Sequence, residues 1–242
     1  MVDLHCHILP KMDDGAQTMA ESVEMAGLAW KSGVKQMAAT PHFPGTEESL
    51  AMLPRILERT RQLQARLREN RIPLELVPGG EVLCLPQTPE LARRGLLPTL
   101  GQGRYVLTEF PFDMPGEEIS RMLMLLHRWD YLPVVAHPER YDAVREEPSL
   151  GQYWFDCGYG LQINKDSVLG LFGQSVRNTA WELLARGTVH VIASDAHHLR
   201  ERNPDFTRIC QWAGAHLEPG YAEILLRENP RRIIQGMPLV EP

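Results

Sequence analysis

Met1-Val2-Asp3-Leu4-His5-Cys6-His7-Ile8-Leu9-Pro10-Lys11-Met12-Asp13-Asp14 opens the chain, and the rest of the sequence is organised around it. An extended strand turns successive side chains to opposite faces, so a strand here sends His5 and His7 to one side and Cys6 to the other. Two imidazoles on one face can share a metal ion, with Asp14 close behind in sequence. A histidine pair alone decides little; the question is whether further ligands arrive from elsewhere.

They arrive at a recurring position. Six later hydrophobic segments read as strands, and five run into His, Asp or Glu where the strand should stop: Thr40-Pro41-His42, Gly79-Gly80-Glu81, Thr108-Glu109-Phe110, Ala136-His137-Pro138 and Ser194-Asp195-Ala196-His197. Only Gly160-Leu161-Gln162-Ile163-Asn164 ends without a strong ligand. Helical patterns separate them. Thr18 and Glu21 form a capping-box pattern before a helix that Gly33 closes. A second helix spans Glu47 to Asn70, with Pro54 marking a kink or a restart. Further helices are expected over residues 88–94, 116–129, 148–157 and 175–186, and a tail from Pro204 to Gly236 should supply cover rather than chemistry.

Strand and helix thus alternate about seven times, the pattern of a parallel sheet wrapped by helices. An open sheet gathers ligands at one switch point. Ligand candidates after nearly every strand fit a closed (β/α) barrel instead, because a barrel brings all its strand ends to one mouth. The expected fold class is therefore α/β, a TIM-like barrel in a single domain over residues 1–242.

Composition agrees with that class. The chain is 43% hydrophobic and 23% charged, as soluble globular proteins are. No apolar run approaches the ~18 residues that cross a bilayer, and no basic-then-apolar leader opens the sequence. No membrane insertion and a cytoplasmic location are the expectations. A net charge of −6 speaks against nucleic-acid binding, which draws on clustered positive charge. Cys6, Cys84, Cys157 and Cys210 are too scattered for a disulfide framework or a structural zinc site.

The candidate ligands are His5, His7, Asp14, His42, Glu81, Glu109, His137, Asp195 and His197. One zinc needs three or four protein ligands, so nine imply two or three divalent ions sharing carboxylates. Four carboxylates at one mouth would otherwise repel one another and drift toward protonation. With the ions in place, the site attracts anions. Arg140, three residues after His137, and Arg202, shortly after His197, can each grip two phosphate oxygens. Metals and arginines together point to phosphoester hydrolysis, in which a water shared by two ions is acidified and attacks phosphorus in line. His42 or Asp14 is placed to help the leaving oxygen. His5-Cys6 superficially matches the start of the H-C-x5-R loop of cysteine phosphatases, but Met12 stands where the arginine should be, so a Cys6 nucleophile is not expected. His127, His190, His198 and His216 read as packed or exposed residues.

At this point the motifs His5-Cys6-His7-Ile8-Leu9-Pro10, Asp13-Asp14-Gly15-Ala16, Thr40-Pro41-His42, Gly80-Glu81, Glu109-Phe110-Pro111, Ala136-His137-Pro138-Glu139-Arg140-Tyr141 and Ile192-Ala193-Ser194-Asp195-Ala196-His197 resemble a known family. It is the manganese-dependent protein-tyrosine phosphatases of bacterial capsule and exopolysaccharide operons, the CpsB type, within the polymerase and histidinol phosphatase (PHP) superfamily. The resemblance covers Met1 to about Pro204, with every motif in order. It implies a distorted seven-stranded barrel with three metal ions: one held by His5, His7, Glu81 and Asp195, a second by Glu81, Glu109 and His137, a third by Asp14, His42 and His197. It also implies that Arg140 and Arg202 bind the phosphate and that the substrate is a phosphotyrosine protein, the tail of a bacterial tyrosine kinase. Manganese is the metal it favours; the ligand types also suit iron, zinc and cobalt. A homo-oligomer is compatible with all of this. The alternatives are a small-molecule phosphatase such as histidinol-phosphate phosphatase and a non-catalytic, metal-stabilised scaffold domain.

Overall fold

The computed structural model describes residues 1–101 and 103–241. Among the described residues the strands are β1 (Val2–Cys6), β2 (Gln36–Ala39), β3 (His42–Phe43), β4 (Glu75–Pro78), β5 (Glu81–Leu83), β6 (Tyr105–Glu109), β7 (Leu132–Ala136), β8 (Gly160–Asn164) and β9 (Val191–Ala193). They pair in parallel in the orders β1-β2-β4 and β3-β5-β6-β7-β8-β9.

These nine strands make seven staves, because two staves are broken by residues that cannot continue a ladder. Pro41, which has no N–H, separates β2 from β3, and Gly79-Gly80 separates β4 from β5. Hydrogen bonds still cross the breaks, from Gly79 N to Ala39 O at 3.0 Å and from Glu81 N to Pro41 O at 3.0 Å. Gly80 is required by packing, since a Cβ there would lie 2.8 Å from Pro98 Cγ and 3.2 Å from its Cβ. The ring then closes. Cys6 bridges Ala196 in parallel, Asp195 N donates to His5 O at 2.8 Å, and His7 N donates to Ala196 O at 2.9 Å.

Alternation decides what fills the ring. Val134 and Ala136, Tyr105 and Leu107, and Val191 and Ala193 share an inner core with Val2 and Leu4. Ile233 and Ile234 of the last helix belong to it as well. The hydroxyl of Tyr105, at the start of β6, donates to Met237 O at 2.9 Å, so the tail seals the barrel at the N-terminal ends of its strands. The tail is therefore more than outer cover. A larger core lies between staves and helices, where Leu63, Leu67, Leu123 and Trp154 are fully buried; each buried leucine contributes roughly 1.5 to 3 kcal/mol.

The helices mostly follow their sequence signals. Thr18 Oγ1 accepts from Glu21 N at 3.1 Å and caps helix Met19–Lys31, but Glu21 takes Gln17 N at 2.8 Å, so only half of the capping box forms. Pro54 is a restart: a 3-10 turn over Glu48–Ala51 leads into helix Met52–Glu69, with the proline in its first turn. A short helix at Asp142–Glu146 carried no periodic signal.

β1 departs from a regular strand. Its register shifts between Asp3 and Cys6, so Val2 and Leu4 join the inner core while His5 also faces inward and Cys6 packs in the outer core. Asp3, fully buried, holds the irregularity: its carboxylate accepts from Ser194 N at 3.0 Å and Ser194 Oγ at 2.6 Å. The other open rim, where the strands end, carries the predicted ligands.

Candidate metal centre

Glu81 sits at the centre of that rim. It ends the break in its stave, is fully buried, and is ringed by four imidazoles. His137 Nε2 and His5 Nε2 lie 2.9 and 3.2 Å from Oε1; His42 Nδ1 and His7 Nε2 lie 3.0 and 3.2 Å from Oε2. Burial opposes its charge, but the positive field of His5 and the hydrogen bonds of His137 and His42 outweigh it and hold the carboxyl well below the usual range.

The other candidates close around this core. Asp195 Oδ1 is 3.5 Å from both His5 Nε2 and His7 Nε2. Glu109 lies 3.6 Å from His137 Nε2 and from His42 Nδ1. Asp14 Oδ1 lies 3.5 Å from His42 Nε2 and 3.4 Å from His197 Nε2. The structure thus brings all nine side chains together, six of them buried, with Asp14 68% exposed at the outer edge. Arg202 Nη2 and Arg140 Nη1 reach Asp195 at 2.7 and 3.5 Å. His137, Asp195 and Arg202 adopt φ values of +36°, +49° and +47°, a backbone strain of ~1 to 3 kcal/mol each that clusters at functional sites.

The donor chemistry fits divalent cations. His5 Nε2 and His7 Nε2 face each other at 3.1 Å, and the His7 and His197 rings stack with centroids 3.8 Å apart. Buried Glu81 Oε2 and His197 Nε2 have no hydrogen-bond partner despite the neighbours just named. These atoms aim at shared space rather than at one another, as ligands of a common ion do; bonds of 2.0 to 2.2 Å leave adjacent ligand atoms roughly 3.4 Å apart. Three groups each bring one ligand atom per residue to within 4.8 Å of one another: His7, Asp14, His42 and His197; His5, His7 and Glu81; and His42, Glu81 and Glu109. The grouping differs from the one the resemblance implies: His7 also joins the Asp14 group, His42 turns Nδ1 toward Glu81 and Glu109, and Asp195 and His137 stand outside the three groups.

A supporting layer was not legible in the sequence. His7 Nδ1 contacts Asp13 Oδ2 at 2.7 Å. His5 Nδ1 contacts Gln162 Oε1 at 2.8 Å, Gln162 donates to Asn164 Oδ1 at 2.9 Å, and Asn164 donates to Asp195 Oδ2 at 2.7 Å. The strand without a ligand therefore supplies the amides that orient His5 on β1 and Asp195 at the end of β9. The sequence signal for this layer is Gln162 and Asn164, two polar residues at alternate positions of a short strand that is otherwise apolar. Cys6 is fully buried, and burial pushes its thiol well above the ordinary range, which removes it as a nucleophile.

A family described as capsular polysaccharide synthesis, CpsB/CapC, matches residues 1–235. The chain belongs to the CpsB/CapC family. This family member is 39% identical over 207 residues to the tyrosine-protein phosphatase YwqE of Bacillus subtilis, covering 84% of this chain and 80% of the relative. It is 30% identical to the tyrosine-protein phosphatase CpsB of Streptococcus pneumoniae, over 97% of this chain and 98% of that one. A crystal structure from work on YwqE and CpsB, described as unique metal-dependent tyrosine phosphatases, superposes with a TM-score of 0.88 at 31% identity, covering 100% of this chain and 97% of the other. A putative histidinol phosphatase from Listeria monocytogenes, at 11% identity and a TM-score of 0.52 over 87% of this chain and 100% of the other, shares the fold alone.

Proposed function

We propose that this CpsB/CapC-family protein is a metal-dependent protein-tyrosine phosphatase of capsule or exopolysaccharide regulation, acting in the cytoplasm on the phosphotyrosine tail of a bacterial tyrosine kinase. Residues 1–242 act as one catalytic domain. The observation that carries the reading is the convergence of nine ligand side chains and two arginines on one strained rim, in a family whose named relatives are tyrosine phosphatases. A scaffold needs no such complement.

His5, His7, Asp14, His42, Glu81, Glu109, His137, Asp195 and His197 would hold two or three divalent ions, manganese first among them. When bound, such ions acidify water and neutralise charge on the phosphoryl group. The chain does the rest. Arg202 and Arg140 each spend one nitrogen on Asp195, which fixes them at the rim. A guanidinium carries five N–H donors, so each retains several for phosphate oxygens; Arg202 Nε is buried and without a partner. The departing phenolate needs little protonation, and Asp14 and His42 at the exposed edge would hold the ion that neutralises its charge.

A cleft of 780 Å³ opens beside the ligands, sharing Arg202 and lined also by Phe172, Lys165, Arg200 and Arg208. The similarity to tyrosine-protein phosphatases favours a protein substrate over a small phosphoester. The test is parallel turnover of a phosphotyrosine peptide, a phosphoserine peptide and histidinol phosphate by metal-stripped protein reloaded with manganese, zinc, iron or cobalt in turn. Preference for the phosphotyrosine peptide in a metal-restored enzyme is expected; preference for histidinol phosphate, or no restored turnover, would overturn the reading.

A further inference from the structure

Two phenyl rings close on Arg140. Phe112 lies in the loop after β6, three residues beyond Glu109, and its ring centroid is 4.5 Å from the guanidinium carbon. Phe172, in the turn before helix Gln174–Ala185, stands 4.8 Å from the same carbon. Phe112 also meets the His137 ring edge-on, with centroids 5.9 Å apart. An aromatic surface thus runs from a ligand candidate to the arginine assigned to the phosphate.

A single exposed phenyl ring means little. Here two rings lie at the mouth of an otherwise polar site, and both touch one guanidinium. Phe112 is 40% exposed, and Phe172 is half-buried in the wall of the cleft that contains Arg202. Rings stacked against a guanidinium hold its plane and leave its N–H edge free for an anion. A phosphate gripped by that edge carries its ester group past the two rings that touch the guanidinium. An aryl ester then places its own ring against phenyl surface, in the offset or edge-on contact that aromatic pairs favour; an alkyl ester has nothing to place there.

We propose that Phe112 and Phe172 are specificity-determining residues that select aryl over alkyl phosphate monoesters by packing on the substrate ring. The inference rests on the phosphatase reading above. It also separates two functions of the rim: the arginines recognise the phosphate, and the phenyls recognise what the phosphate is attached to.

The experiment measures binding of phenylphosphonate and methylphosphonate to the metal-loaded full chain by calorimetry. The proteins compared are the parent, Phe112→Ala, Phe172→Ala and the bulk-retaining Phe112→Leu and Phe172→Leu. The parent should bind phenylphosphonate roughly tenfold more tightly than methylphosphonate, and each alanine variant should lose most of that ratio by weakening the phenyl ligand only. The leucine variants, which keep apolar bulk, should fall between and report the same trend if an alanine variant folds poorly. An unchanged ratio would overturn the proposal, and so would equal weakening of both ligands, which would mean the rings only hold Arg140. Turnover of phosphotyrosine peptide by the parent is read separately. Its absence alongside an intact aryl preference would sink the phosphatase reading and leave aryl recognition standing.

Discussion

His7 Nδ1 and Asp13 Oδ2 stand 2.7 Å apart, and the same carboxylate oxygen accepts the backbone N–H of His42 at 2.9 Å. One side chain therefore sets the orientation of two ligand-bearing residues. Burial opposes the charge on Asp13, but the hydrogen bond and positive field of His7 hold the carboxyl down at about 2. Asp13 holds the Nδ1 proton of His7, so a bound ion would displace only the Nε2 proton and take that nitrogen, the arrangement in which a carboxylate backs a metal-binding imidazole. Replacement of Asp13 by Ala should weaken metal binding by about 10- to 100-fold while turnover recovers at saturating metal. Titrating stripped protein with manganese against a chelating indicator checks this. Unchanged affinity would show that His7 is held by other contacts.

Gly15 constrains the same loop from the other side. A Cβ there would overlap the carbonyl oxygen and Cβ of His7, a residue whose own N–H is held by Ala196 O in the barrel closure. Backbone cannot yield as a flexible side chain does. Gly15→Ala should therefore cost about 2 to 4 kcal/mol of stability and displace the His7 ring, lowering metal affinity together with the melting temperature. A variant with parental melting and parental metal affinity would contradict this account.

Arg140 gives the cleaner probe of phosphate recognition, because Arg202 makes the closer contact with Asp195, at 2.7 Å against 3.5 Å. Removing Arg202 would disturb a ligand candidate as well as the substrate. Arg140→Lys keeps the charge but loses the planar fork that the two phenyl rings clasp. It should reduce kcat/KM on a phosphotyrosine peptide by about 10- to 100-fold, chiefly through KM, with metal content unchanged. Parental kinetics would remove Arg140 from the binding site.

Much of this site could be read from residue types at strand ends, because a barrel converts a one-dimensional rule into a point in space. His42, Glu81, Glu109 and His137 each follow a hydrophobic run and meet at Glu81 for that reason. What escaped the reading depends on contacts between distant parts of the chain. Gln162 is one polar residue in a strand until the fold sets it beside His5, 157 positions away. The bulge in β1 depends on Asp3 meeting Ser194, which no local pattern signals. The breaks in two staves fall at Pro41 and Gly79-Gly80, where the strands are expected to stop; the short strands beyond them, His42–Phe43 and Glu81–Leu83, carry no signal of their own.

His190 lies away from the metal centre and offers a test of the fold alone. It is buried at the start of the last stave, where its Nδ1 accepts the backbone N–H of Leu161 at 3.2 Å and its ring stacks on Phe155. Protonation would charge a buried ring and turn that acceptor into a donor facing another donor. Burial accordingly pulls its pKa down from 6.5 to about 4. The unfolded chain then binds a proton near pH 6.5 that the folded chain refuses until about pH 4, so the contribution of neutral His190 is complete above 6.5 and is lost as pH falls through that window. The whole effect amounts to ~3 kcal/mol, since each pKa unit corresponds to about 1.4 kcal/mol. His190→Asn retains an oxygen acceptor for Leu161 and removes the titration. Urea denaturation of the stripped parent and variant between pH 7.5 and 4 should show the parent losing up to ~3 kcal/mol more than the variant as the pH falls, on top of whatever constant difference the smaller side chain sets at neutral pH. Curves that stay parallel would mean that the ring charges without penalty, and that its burial does not bear on acid stability.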